Sequence, residues 1–335
     1  MNRLRLPSSG WIVFSILWLV TFAVYLPAIH SGKVGDYYKD WLLIIENDTF
    51  WNYLNRIDTP TLFQFTQLVT WAFYKLFGSG AVPWHIFHVT MHVACGYAVF
   101  HLFCRLLGAA GTGKSRSLSF LVSLLFCISA YNTEVVVHEP CFHYTLAFLM
   151  QLSILILVHR FISERRSWLL YLAIFIFILS AFSLEIFYIT PWLALAIGLY
   201  ECYGQPEKHP VLRSLLLRFF LPALVVFASH LLLLRFFTGY TAPHYIDPNP
   251  VAQLRNLAVK FPKYVFHILL MGRFWPDAIR NTIYSWCELT PFLLVFYALI
   301  GNRCIAYLRR FKTLDPIWKL TGLLGFILLA FAAVV

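Results

Sequence analysis

Apolar runs, each about as long as a bilayer is thick, constrain this chain more than any motif in it. A helix needs about 20 apolar residues to cross the hydrocarbon core. Runs that meet or approach that length fall at 11–29, 84–107, 118–132, 141–160, 167–183, 186–201, 214–237, 280–301 and 318–335, nine expected spans in all. Charged residues make up 12% of the 335, about half the share of a soluble domain, and 60% are hydrophobic. The expected fold class is therefore an all-α polytopic membrane protein in which 1–335 is a single integral membrane domain. Its layout runs from a first span (11–29) through an outer loop with interfacial helices (30–83), core spans (84–237) and a second outer loop (238–279) to C-terminal spans (280–335).

The net charge is +11, and its distribution along the chain matters more than its size. Short cytoplasmic loops collect Lys and Arg. With the N-terminus inside, the loops expected in the cytoplasm hold Arg105, Lys114 and Arg116; Arg160, Arg165 and Arg166; Lys208 and Arg213; and Arg303, Arg309, Arg310, Lys312 and Lys319. The loops at 133–140 and 183–185, expected outside, hold none. Two further segments, 61–77 and 263–275, are apolar but short or interrupted, and are expected to lie at or dip into the outer face. No basic stripe interleaves with aromatics, which argues against nucleic acid as a partner. The run 11–29 is too long for a signal-peptide core and reads as a retained anchor. Val335 lies inside an apolar run, as expected of an incomplete copy of a longer chain.

Several local signals have bland explanations. Gly108 to Ser115 matches GxxxxGK[ST] letter for letter, yet a phosphate-binding loop follows a strand and opens a helix of an α/β domain. Here the match joins two expected membrane helices, so ATP is not expected as a partner. The seven cysteines show no CxxC spacing and read as small core residues rather than as a disulfide or metal framework. His85, His88 and His92 share a helix face with no nearby acid or Cys, which suits packed histidines better than a metal site. No metal is assigned, and whether a divalent ion takes part is open. Asn47-Asp48-Thr49 is a glycosylation sequon on the expected outer side.

The acidic residues are placed unevenly. The segment 32–58 carries Asp36, Asp40, Glu46, Asp48 and Asp58, five of the fifteen acids in the chain. Ionisable groups at the ends of spans are expensive and therefore functional candidates. Glu134 follows the third run and Glu185 separates the fifth from the sixth. On the expected topology Asp40, Glu134 and Glu185 all face outward and can converge. Each acid is also compatible with simple solvation or ion pairing at the membrane surface.

The order of these segments over about the first 200 residues resembles the GT-C class of multi-spanning glycosyltransferases. The protein O-mannosyltransferase-like and tetratricopeptide-repeat transmembrane branches are the most similar. An anchor helix precedes an acid-bearing outer loop (Asp36, Asp40) and an apolar segment ending in Lys75-Leu-Phe-Gly78. Pro83 to His92 looks like the family's His, Asn and His pattern, 129–137 like its Glu-bearing segment, and 179–191 like its Ser-Lys-Glu segment ending in Pro. This chain departs from the pattern with Lys39 beside Asp40, His88 in place of Asn, Leu184 in place of Lys, and no Arg before Pro60.

The resemblance implies transfer of a sugar from a polyprenyl-phosphate donor to an acceptor hydroxyl of a glycan, lipid or protein. Transfer would take place at the outer face of a membrane, most simply a bacterial inner membrane. Asp40, then Asp36, would be the catalytic base. Glu134, Glu185, His88 and His92 would bind substrate, and Arg255, Lys263, Arg273 and Arg280 in the second outer loop would meet the phosphate. A lipid-linked sugar transporter and a non-catalytic scaffold of the same fold are the alternatives. A transporter would favour ionisable groups at mid-bilayer and repeated halves.

Overall fold

A computed structural model describes residues 10–30, 44–55, 62–109, 115–129, 132–137, 141–202, 205–239, 258–263, 266 and 275–310; the side chains of Glu134 and Glu185 lie outside this description. Among the described residues every regular element is a helix. The chain forms two compact units, 1–239 and 240–335.

In the first unit α1 (Gly10–Tyr25) runs on into a 3-10 turn, Leu26–His30. Pro27 has no N–H to donate to the preceding turn, so the α-helical bonding stops there. A short helix, α2 (Phe50–Leu54), is followed by α3 (Gln64–Phe77), then α4 (Ala81–Ala109), α5 (Ser115–Ile128) and α6 (Thr133–Val137). Next come α7 (Phe142–Glu164), α8 (Trp168–Ala181), a 3-10 turn at Glu185–Ile189, and α9 (Thr190–Cys202). The last helix of the unit is α10 (His209–Thr238), whose Leu216–Phe220 turn is wound as a π-helix. That wide turn stands just before Pro222, which cannot donate back to the Arg218 carbonyl.

Among the described residues four helices are long and apolar enough to cross a membrane: Gly10–Ile29, Ala81–Gly108, Phe142–Glu164 and His209–Thr238. Three other expected spans, 118–132, 167–183 and 186–201, form α5, α8 and α9, of 14, 14 and 13 residues. At 1.5 Å per residue each covers about 20 Å, less than the roughly 30 Å of a hydrocarbon core. Leu184 is fully extended, so the helix does not run on from α8 into α9, and Pro191 sits in the first turn of α9, where no N–H is needed.

α4 and α7 form the centre of the unit. α4 packs against α1, α5 and α7, while α7 packs against α8 and α9. Gly96 permits the closest approach of α4 to α5, because a Cβ there would lie 2.2 Å from the Cys127 Sγ. Several hydroxyls within the apolar helices satisfy themselves on their own backbone: Thr21 donates to Leu17 O, Thr90 to Ile86 O, and Ser119 to Ser115 O. An unsatisfied polar group would be costly in lipid, and this bonding four residues back removes the cost.

The second unit contains a helical turn at 258–263, α11 (Asp277–Glu288) and α12 (Thr290–Arg310). The run 280–301, expected to be one continuous span, is broken: Asp277–Glu288 and Thr290–Leu299 meet at 79°. Leu289 is extended at the joint, and Pro291 has no N–H to bond back to Cys287, so one helix cannot run through. The expected span 318–335 lies outside the described residues.

Candidate functional site

One end of the first unit gathers the Glu134 and Glu185 turns. α1, α5 and α8 finish at this end, and α4, α7 and α9 start from it. The 26–30 turn, the 132–137 turn and the 182–189 connection therefore share it.

The described part of the α5–α7 connection is held by hydrogen bonds to backbone carbonyls. Asn132 Nδ2 donates to Phe126 O at 2.8 Å, and the Asn132 N–H donates to Ser129 O at 3.0 Å. From α1, the Tyr25 hydroxyl donates to the same Ser129 carbonyl at 3.3 Å. Val136 and Val137 of α6 pack with Tyr25 and Val89, which seats the helix turn carrying Glu134 beside α1 and α4.

The Glu185 turn is held on two sides. Phe187 is buried, with its ring centre 5.2 Å from Phe177 and 5.1 Å from His230. The hydroxyl of Tyr188 lies 3.0 Å from Nδ1 of His230 on α10, a hydrogen bond between the turn and the longest helix. Where α9 begins, Gln151 Nε2 of α7 donates to Thr190 Oγ1 at 3.2 Å. Leu184, standing where the resembled family has Lys, is buried and extended.

The described parts of the expected first outer loop pack onto the bundle. α3, expected at the outer face, docks its start on the α8–α9 connection: the Phe65 N–H donates to Phe182 O at 2.9 Å and Thr66 Oγ1 to Ser183 O at 3.4 Å. Phe65 and Val69 pack against Phe142 and Met91. Ile45 and Tyr53 form a small core with Phe73 and Trp84. Burial pushes the Tyr53 phenol above its usual range. The Tyr74 phenol is raised as well, first by desolvation and then by the neighbouring Glu46 carboxylate.

Asp36 and Asp40 lie outside the described residues, within 31–43. Both flanks of that segment, the 26–30 turn and the 44–55 stretch, are anchored at this end of the unit.

The histidines are built into the packing. His92 is buried, with Nε2 3.2 Å from Cys127 O and its ring stacked 4.9 Å from Phe126, so it joins α4 to α5. His88 is buried against Trp84 and Phe142. Among the described residues no group of three or more His, Cys, Asp or Glu is placed to hold a metal ion.

Of the expected phosphate-binding cations, Arg255 and Arg273 lie outside the described residues. Lys263 Nζ stands 2.5 Å from Glu288 Oε1 and over the Tyr284 ring, and Arg280 Nη2 stands 2.5 Å from Asp277 Oδ1. Both belong to the second unit. The phosphate-loop look-alike has Gly108 within α4 and Ser115 opening α5, helix on either side, at the opposite end from the acidic segments.

Three residues fastening this end, Tyr25, Tyr188 and His230, were not picked out by sequence reasoning. Their one advance signal was a polar atom inside an apolar run. No protein-family model, curated protein or solved structure matches the chain.

Proposed function

We propose that this membrane protein is a glycosyltransferase that moves a sugar from a polyprenyl-phosphate donor to an acceptor hydroxyl at the outer face of a bacterial inner membrane, with its N-terminus in the cytoplasm. One observation carries the reading. The Glu134 turn, the Glu185 turn and both flanks of the Asp36–Asp40 segment meet at a single end of the first unit.

The chemistry such an end would perform is a single displacement. The acceptor oxygen attacks the anomeric carbon, its proton passes to the Asp40 carboxylate, and the bond from the anomeric carbon to the phosphate oxygen breaks with its electron pair on the phosphate. The configuration at the anomeric carbon inverts. Glu134 and Glu185 accept hydrogen bonds from sugar or acceptor hydroxyls. His88 and His92 shape the wall of the site from α4. Basic side chains would offset the charge left on the phosphate. The polyprenyl chain suits a protein surface bathed in lipid.

The test is transfer from a panel of radiolabelled polyprenyl-phosphate sugars by membranes holding matched amounts of wild type, Asp40→Asn or Asp36→Asn. The expected result is transfer by wild type and a loss of about 10²-fold or more in Asp40→Asn, the scale of a missing general base. Loss in Asp36→Asn alone moves the base to Asp36. A wild-type chain that consumes no donor overturns the reading in favour of a scaffold, and movement of donor across the bilayer without transfer favours a transporter.

A further inference from the structure

α11 is a polar interruption in an apolar unit, and its two exposed flanks differ in kind. Projected at 100° per residue, Asp277, Asn281, Ser285 and Glu288 fall on one side of the helix. Ile279 and Trp286 fall on the opposite side, and they are 46% and 55% exposed. Between the flanks, Cys287 is buried against the chain, and the Tyr284 ring lies 6.1 Å from Phe266. The helix therefore presents a polar edge and an apolar edge, both uncovered.

The direction of α11 gives this split a meaning. It meets Thr290–Leu299 at 79°, and that segment exposes Leu294, Val295 and Leu299, as a lipid-facing helix does. A helix nearly perpendicular to a membrane span lies nearly in the membrane plane. Leu289, exposed at the joint, continues the apolar edge into the span. The charged pairs Lys263–Glu288 and Arg280–Asp277 use carboxylates of the polar edge. An indole at the boundary of lipid and water is energetically well placed, having an apolar ring and a single N–H.

We propose that α11 is a membrane-surface helix, lying flat in the phospholipid headgroup layer with Ile279 and Trp286 in contact with acyl chains and Asp277, Asn281 and Ser285 in water. Its occupant is the bilayer surface itself, and the inference stands apart from the sugar-transfer reading. The broken run 280–301 then has a physical reason: residues 277–288 are too polar to enter the hydrocarbon, and Pro291 provides the corner at which the chain turns inward.

The experiment uses the full chain in vesicles of phosphatidylethanolamine and phosphatidylglycerol bearing a clickable acyl chain. p-Benzoylphenylalanine replaces Ile279, Trp286, Asn281 or Ser285 one at a time, with Leu294 as a control for insertion. Irradiation is expected to crosslink lipid at 279, 286 and 294 and at least 5-fold less at 281 and 285. Equal labelling at all four α11 positions would mean that the helix lies within the hydrocarbon. Labelling at 294 alone would mean that α11 is covered by protein or stands in water. Either result overturns the proposal.

Discussion

Thr49 Oγ1 accepts the Asn52 N–H at 3.3 Å and so caps α2, which gives the threonine of the Asn47-Asp48-Thr49 sequon a structural duty independent of any glycan. Thr49→Ala should lower the stability of the solubilised protein by about 1 kcal/mol, and Thr49→Ser should restore most of it, in a thermal unfolding series. Gly96 is the tighter constraint. A methyl there runs into the Cys127 sulfur, so Gly96→Ala should cost about 1–3 kcal/mol. Removing that sulfur as well, in Gly96→Ala/Cys127→Ala, should recover part of the loss; a double variant worse than the sum of the singles would show that the clash lies elsewhere. The Gly96 role follows from a contact with Cys127 on the neighbouring helix, which a glycine in an apolar run does not reveal. The histidines are a converse case, since the pattern and the aromatic neighbours of His85, His88 and His92 suggested packed rings from the sequence. His92, bound to a backbone carbonyl and stacked on Phe126, is packed in that way.

Elements were legible where composition alone decides them and illegible where their ends depend on a single backbone donor. The cores of α1, α4, α7 and α10 lie where long apolar runs predict them. α5, α8 and α9 are shorter than their runs, because the residues beyond Ile128 and Ala181 turn back to bond with neighbours instead of continuing the helix. The Glu185 turn depends on His230, more than 40 residues away. His230→Ala should loosen it, costing about 2 kcal/mol through the lost ring contacts and the lost hydrogen bond to Tyr188. The check is a fall in melting temperature accompanied by faster proteolysis near residue 188; a fall without that local change would refute the clasp. At the α11–α12 corner, Pro291→Ala restores the missing N–H and should lengthen the distance between spin labels at Ile279 and Tyr297.

At the scale of the whole molecule, the placement of the acidic segments depends on whether the 14-residue α5 carries the chain from one side of the membrane to the other. Reporter fusions at Thr112 and at His138 should read opposite sides. Fusions reading the same side would make α5 re-entrant and would separate the Glu134 turn from the outer compartment. The two-unit organisation predicts that a chain truncated after Gly239 still inserts and unfolds cooperatively, with a melting temperature within a few degrees of the full chain. A truncated chain without a transition would show that the first unit depends on the second.

By itself the sequence determined that the chain is a helical membrane protein, because 60% hydrophobic residues gathered in long runs have no other stable arrangement in or out of lipid. It also determined that few acids would be free of an interface, since burying a lone carboxylate in hydrocarbon is prohibitive. The tertiary structure decided which of these runs form helices long enough to cross, because helix ends are set by prolines, caps and long-range hydrogen bonds that local hydropathy does not weigh. It also decided that the Glu134 turn, the Glu185 turn and the anchored flanks of the Asp36–Asp40 segment share one end. That gathering arises from antiparallel helices packing through Gly96, Phe187 and Tyr25, contacts between residues far apart in the chain.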